Sequence, residues 1–132
     1  MITTEQYFRD REHSPDQATN ALNLLSKVNP LLYEYSSQTG EDVEINKFTG
    51  NCISGLTEGG FRLPDCPQGA LHSSHKEARA VDVYDPFNHI DDWLTDEILE
   101  RFGLYREHPD STEHWAHLTD KAPGSGHRTF LP

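Results

Sequence analysis

Apolar positions along the chain change from helical to alternating spacing partway through, and the change locates its elements. Thr3 or Thr4 is placed to cap a first short helix over residues 5–12. Ser14-Pro15-Asp16 opens a second, with Pro15 at the first helical position, and Ala18, Ala21, Leu22, Leu24, Leu25 and Val28 fall mostly on one face. Asn29-Pro30 is expected to break or restart this helix, after which Leu31, Leu32, Tyr33 and Tyr35 lead to a stop at Gly40. Val43, Ile45 and Phe48 predict a strand over residues 43–48. A turn at Thr49-Gly50-Asn51 then leads to a second short strand at Cys52-Ile53-Ser54.

Residues 55–74 are rich in Gly, Pro and polar side chains and are expected to form a long surface loop, of a length that usually carries function. The alternating run Ala80-Val81-Asp82-Val83-Tyr84 predicts a strand. An amphipathic helix is expected over residues 91–102, with Trp93, Leu94, Ile98, Leu99 and Phe102 inward and Gly103 closing it. Two short strands, Leu104-Tyr105-Arg106 and residues 114–118, should bracket a turn at His108-Pro109-Asp110-Ser111, ahead of an irregular tail whose Phe130 and Leu131 can dock on the body. Helices first and strands later predict an α+β fold. In it, N-terminal helices pack on a small, largely antiparallel sheet within one domain spanning residues 1–132.

Composition narrows the partners. The formal net charge is -11 and only 34% of residues are hydrophobic, so the surface must be strongly acidic. Nucleic acid is excluded on this reading, because phosphate backbones need clustered Lys and Arg, and an anionic membrane is disfavoured by the same sign argument. The N-terminus shows neither a basic nor an apolar signal region, so a cytoplasmic, monomeric product is expected, reaching any target outside the cell only by lysis or a separate export route. Cys52 and Cys66, fourteen residues apart, are expected to be thiols rather than a bridge.

The candidate chemistry lies in the run from Ser73 to Asp85. A histidine on a loop, His75, precedes by seven positions an aspartate, Asp82, fixed in a strand. The loop can fold back to set imidazole beside carboxylate, and His117, in Trp115-Ala116-His117-Leu118, would supply a third ligand of a water-open zinc site. His72 is near enough to His75 to be an alternative.

At these residues the chain resembles the zinc D-alanyl-D-alanine carboxypeptidases of the VanY/VanX type, a family that includes phage peptidoglycan endopeptidases. Ser73, His75, Ala80 and Asp82 match the motif Ser-x-His-x-x-Gly-x-Ala-x-Asp, with Ala78 in place of its glycine. Trp115-Ala116-His117-Leu118 resembles the Trp-x-His-Leu form of phage-type members. Ile53-Ser54-Gly55 with Gly60-Phe61-Arg62 is similar to a Ser-Gly-Tyr-Arg segment, though extra residues separate its halves. The resemblance covers residues 43–118 and implies a D-Ala-D-Ala carboxypeptidase, hedgehog-like fold. It also implies Zn²⁺ on His75, Asp82 and His117, and a peptidoglycan stem peptide as substrate.

By the same resemblance Arg62 would hold a substrate carboxylate or stabilise an oxyanion, Ser73 would bond near the metal or substrate, and Trp115 would wall the substrate pocket. The general base is left open. Family members place an acid three positions before the last zinc histidine, or a histidine two before it, whereas here those positions are His114 and Trp115. If residues 114–118 and their approach form a regular strand, Glu113 shares a face with His117; a bulge would favour His114. The rival expectation is a non-catalytic zinc module on the same fold, as part of a phage or virion.

Overall fold

A single 25-residue helix, α2 (Pro15–Thr39), supplies most of the apolar side chains of the N-terminal half. The structure is a computed structural model that describes residues 1–64, 66 and 73–131. Ser14 caps α2, its hydroxyl accepting from Gln17 N while the Gln17 side chain accepts from Ser14 N, and Gly40 ends it in the left-handed conformation at φ 72°. The expected break at Asn29-Pro30 does not occur. Pro30 removes one backbone donor, but Val28, Leu31, Leu32 and Tyr35 bury on either side of it, and this shared burial holds the helix through the proline. Asn29 adds a clamp, accepting from Ile2 N at 2.8 Å and donating to Ile2 O at 2.9 Å. Leu22, expected on the inner face, is exposed.

The preceding helix, α1 (Thr4–Phe8), is capped by Thr3 and stops at Arg9, whose φ of 56° ends it well short of residue 12. The predicted strands at 43–48 and 52–54 are not formed. Only isolated bridges join Asn46 to Asn51 and Ile53 to Val83, and Ile45 and Phe48, lacking a surface to pack on, are exposed.

Four strands make the sheet, in the order β1-β3-β2-β4. They are β1 (Ala80–Tyr84), β2 (Tyr105–Glu107), β3 (Trp115–Thr119) and β4 (Thr129–Phe130). β3 runs antiparallel to both neighbours, while β4, from the tail expected to be irregular, pairs parallel with β2. The fold is therefore α+β with a mixed sheet. The predicted helix at 91–102 is two helices, α3 (His89–Trp93) and α4 (Asp96–Phe102), because Thr95 takes an extended conformation and caps α4 by accepting from Ile98 N. Gly103 closes α4 as expected.

Strand alternation divides the sheet into two chemically different faces. Val81 and Val83 of β1 and Ala116 and Leu118 of β3 join the apolar cluster that includes Leu24, Leu31 and Leu99. The opposite face carries Asp82 and Tyr84 of β1 with Trp115 and His117 of β3. Directly paired positions are Asp82 with His117 and Tyr84 with Trp115. Among the described residues, no helix is long and apolar enough to cross a membrane.

Candidate metal centre

Asp82 is held by its backbone as firmly as by its ladder. Its N–H donates to Gly59 O at 2.7 Å and its carbonyl accepts from Ser54 N at 2.8 Å, so both main-chain groups face away from β3. The Asp82–His117 pair is therefore of the non-hydrogen-bonded kind, in which facing side chains approach most closely. His117 Nδ1 lies 2.9 Å from Asp82 Oδ1.

His75 enters from a turn. Ser73 opens that turn, its hydroxyl accepting from His75 N at 3.3 Å and its carbonyl from Lys76 N. Ala78, where the related motif has glycine, adopts φ 59° and is fully buried, which explains why a small residue is needed there. The imidazole of His75 donates through Nδ1 to the carbonyl of Gly60 at 2.9 Å. A carbonyl can only accept, so the proton of the neutral ring is on Nδ1, and Nε2 is left as a lone pair.

That lone pair carries the metal argument. His75 Nε2 is buried and has no hydrogen-bond partner among the described residues, although Asp82 Oδ1 is only 3.2 Å away, off the angle of a hydrogen bond. Two acceptor atoms facing each other in a buried site call for a positive charge between them. His75, Asp82 and His117 each offer one ligand atom, and these three atoms lie within 4.8 Å of one another. A tetrahedral zinc centre with bonds near 2.0 Å separates its ligand atoms by about 3.3 Å. The two spacings to Asp82, 3.2 and 2.9 Å, lie near that value. The group can hold a metal ion, with His75 Nε2 and His117 Nδ1 the ring nitrogens beside Asp82 Oδ1.

Electrostatics prepare the same site. Burial pushes the Asp82 carboxyl up, but His75 and His117, whenever their rings are protonated, outweigh it by charge and hydrogen bonding and hold the group well below the usual carboxylate range. For His117, burial pulls the imidazole down; the hydrogen bond and charge of Asp82, with help from Glu107, reverse this and raise it. Metal must displace that proton to bind.

Arg62 stands beside the centre. Its Nη2 is 3.4 Å from Asp82 Oδ2, and its Nε donates to Glu58 O at 2.7 Å, which fixes the plane of the guanidinium. Trp115 stands two positions from His117 on the same strand face, opposite Tyr84. Ser73 contacts the backbone of His75, supporting the ligand turn. His72 lies outside the described residues.

Glu113 and His114 sit differently from the expectation. β3 begins only at Trp115, and His114 has φ 77°, so the two-residue period that favoured Glu113 does not extend to it. The His114 ring bonds to Pro86 O at 3.0 Å, its backbone N donates to Asn88 Oδ1, and Glu113 Oε1 lies 3.4 Å from His114 Nε2. Their side chains are 79% and 61% exposed, and the turn packs on the end of β1 rather than over the ligands.

Two neighbours of the centre lay outside the expected ligand set: Glu107 carried no sequence signal, and Phe130 was expected only to dock on the body. Glu107 on β2 brings Oε1 to 4.0 Å from His117 Nε2, and Phe130 on β4 sets its ring edge-on to His117 with centroids 6.3 Å apart. Only strand pairing brings them there. A separate groove of about 380 Å³ between α2 and residues 42–52, lined by Leu32, Tyr33, Val43 and Ile45, lies apart from all three ligands. Comparison of the chain with protein-family models, with curated proteins and with solved structures gives no match.

Proposed function

We propose that the chain is a zinc-dependent peptidase acting on peptidoglycan stem peptides, of the carboxypeptidase or endopeptidase kind, with the related fold. One observation carries the reading: a buried, unpartnered His75 Nε2 faces a carboxylate oxygen that also meets His117 Nδ1. Two imidazoles and one carboxylate, with a further position for water, form the donor set of hydrolytic zinc.

In this reading His75, Asp82 and His117 hold the ion. Zinc held by these residues would supply Lewis-acid polarisation of a peptide carbonyl and a hydroxide near neutral pH. Arg62, fixed by Glu58 O and beside Asp82, offers a planar donor fork to a substrate carboxylate or to the developing oxyanion. Trp115 and Tyr84 present the aromatic edge of the same sheet face to the peptide. Proton transfer falls to Glu113 or His114, whose turn would have to draw in over the ligands as substrate binds.

The exposed position of Glu113 and His114 favours a second reading, a zinc-holding module without catalysis. Purified protein with zinc, and with chelator, incubated against muropeptides and followed by mass spectrometry, tests the pair. Chelator-sensitive release of peptide fragments is expected. Stoichiometric zinc without any hydrolysis supports the binding module, and no retained zinc sinks both.

A further inference from the structure

We propose that Glu107 accepts a hydrogen bond from the Nε2–H of His117 and so fixes which ring nitrogen His117 presents to metal. The proposal rests on the reading of His75, Asp82 and His117 as a metal centre, and goes beyond it by adding a positioning residue from another strand.

β2 pairs antiparallel with β3, Tyr105 opposite Thr119 and Arg106 opposite Leu118. One step further sets Glu107 opposite His117 on the same face of the sheet. His117 thus lies between two carboxylates, Asp82 from β1 and Glu107 from β2, and its two ring nitrogens divide between them. Nδ1 is 2.9 Å from Asp82 Oδ1, and Nε2 is 4.0 Å from Glu107 Oε1.

An imidazole that gives the lone pair of Nδ1 to a metal carries its proton on Nε2, and an acceptor for that N–H holds the orientation of the ring. His75 solves the same problem in mirror image, with Nε2 toward the centre and Nδ1–H donating to Gly60 O. For His117 the facing acceptor is Glu107. A separation of 4.0 Å is longer than a hydrogen bond, and a small rotation along the three-bond side chain of Glu107, which is one-quarter exposed, closes it. Phe130, paired with Glu107 across β2 and β4, stands edge-on to the His117 ring and limits its freedom to flip.

The test reads zinc affinity and tautomer rather than turnover. Zinc dissociation constants, measured by chelator competition, are compared for wild type, Glu107→Ala, Glu107→Gln and His117→Ala. Glu107→Ala is expected to lose about 10- to 100-fold in affinity, with Glu107→Gln, which keeps an acceptor oxygen, recovering most of it. In zinc-loaded wild type, nitrogen-15 NMR of the histidines should show His117 protonated at Nε2, a result that needs no variant. Binding by Glu107→Ala within twofold of wild type while His117→Ala loses zinc overturns the role of Glu107 and leaves the metal centre standing, as does a His117 protonated at Nδ1. Unchanged affinity in His117→Ala overturns the metal centre itself, and this proposal with it.

Discussion

Asp82 and His117 face each other across β1 and β3 at a non-hydrogen-bonded position, with imidazole Nδ1 2.9 Å from carboxylate Oδ1. The backbone groups of Asp82 are engaged on the other side by Gly59 and Ser54, so the carboxylate cannot retreat without breaking two main-chain bonds. The centre is built before any ion arrives, and its properties can be tested one residue at a time.

Zinc should stabilise the fold. At a free concentration one hundred times the dissociation constant, binding to the folded state alone contributes roughly 2.7 kcal/mol. Thermal unfolding with and without zinc should show an upward shift in wild type that is lost in His75→Ala, Asp82→Ala and His117→Ala. A shift of equal size in any of the three would remove that residue from the ligand set.

Gly60 is predicted to be intolerant of a side chain. A Cβ there would stand 2.5 Å from the carbonyl oxygen of Tyr7, which also accepts from Phe61 N. The peptide must move, and the Gly60 carbonyl that fixes the His75 ring moves with it. Gly60→Ala should lose about 1–3 kcal/mol of stability and bind zinc more weakly. Tyr7→Phe removes the 2.7 Å bond to Ala80 O and serves as the comparison: denaturant unfolding should show a similar loss, with zinc affinity nearer wild type.

Arg62→Lys should keep zinc but lower peptide hydrolysis by about 10²- to 10³-fold, because an ammonium cannot reproduce the planar donor fork. Steady-state kinetics on a defined muropeptide measure this. An unchanged rate would assign Arg62 to pairing with Asp82 alone.

Asp91 gives the fold a pH dependence of its own. Burial and the charge of Asp85 raise its carboxyl from 3.8 to about 6, against the opposing pull of Arg106. A carboxyl raised on folding favours the folded state while protonated. Its contribution is complete below about pH 4 and is lost as pH rises through about 6, an effect on the order of 3 kcal/mol. The difference in unfolding free energy between wild type and Asp91→Asn should therefore fall between pH 4 and 6 and be flat above. A difference that grows with pH would contradict the assignment.

Much of the ligand set was legible because local pattern and chemistry coincided. The alternation around Asp82 gave the strand with its observed bounds, and the seven-residue interval from His75 is spanned by a turn and the first residues of β1. What was not legible depended on contacts distant in the chain. Pro30 carries a strong local signal to stop, overridden by burial of Val28 and Leu31 against residues from the far half of the sequence. Ile45 and Phe48 carry a strand signal with no partner strand to receive it. Glu107 lies ten positions before His117, an interval with no meaning until β2 and β3 are paired. For Glu113 and His114 the sequence left a regular strand and a bend both open, and the positive φ of His114 shows the bend.

The pairing of Asp82 with His117 has a consequence for how the chain assembles. Were β1 to slip past β3 by one residue, Asp82 would oppose Ala116 or Leu118, and a ligand would be turned toward the helices. Only the native alignment brings the three side chains together, so an ion bound by them would act as a proofreader of the sheet, its binding energy withheld from chains that zip together out of step.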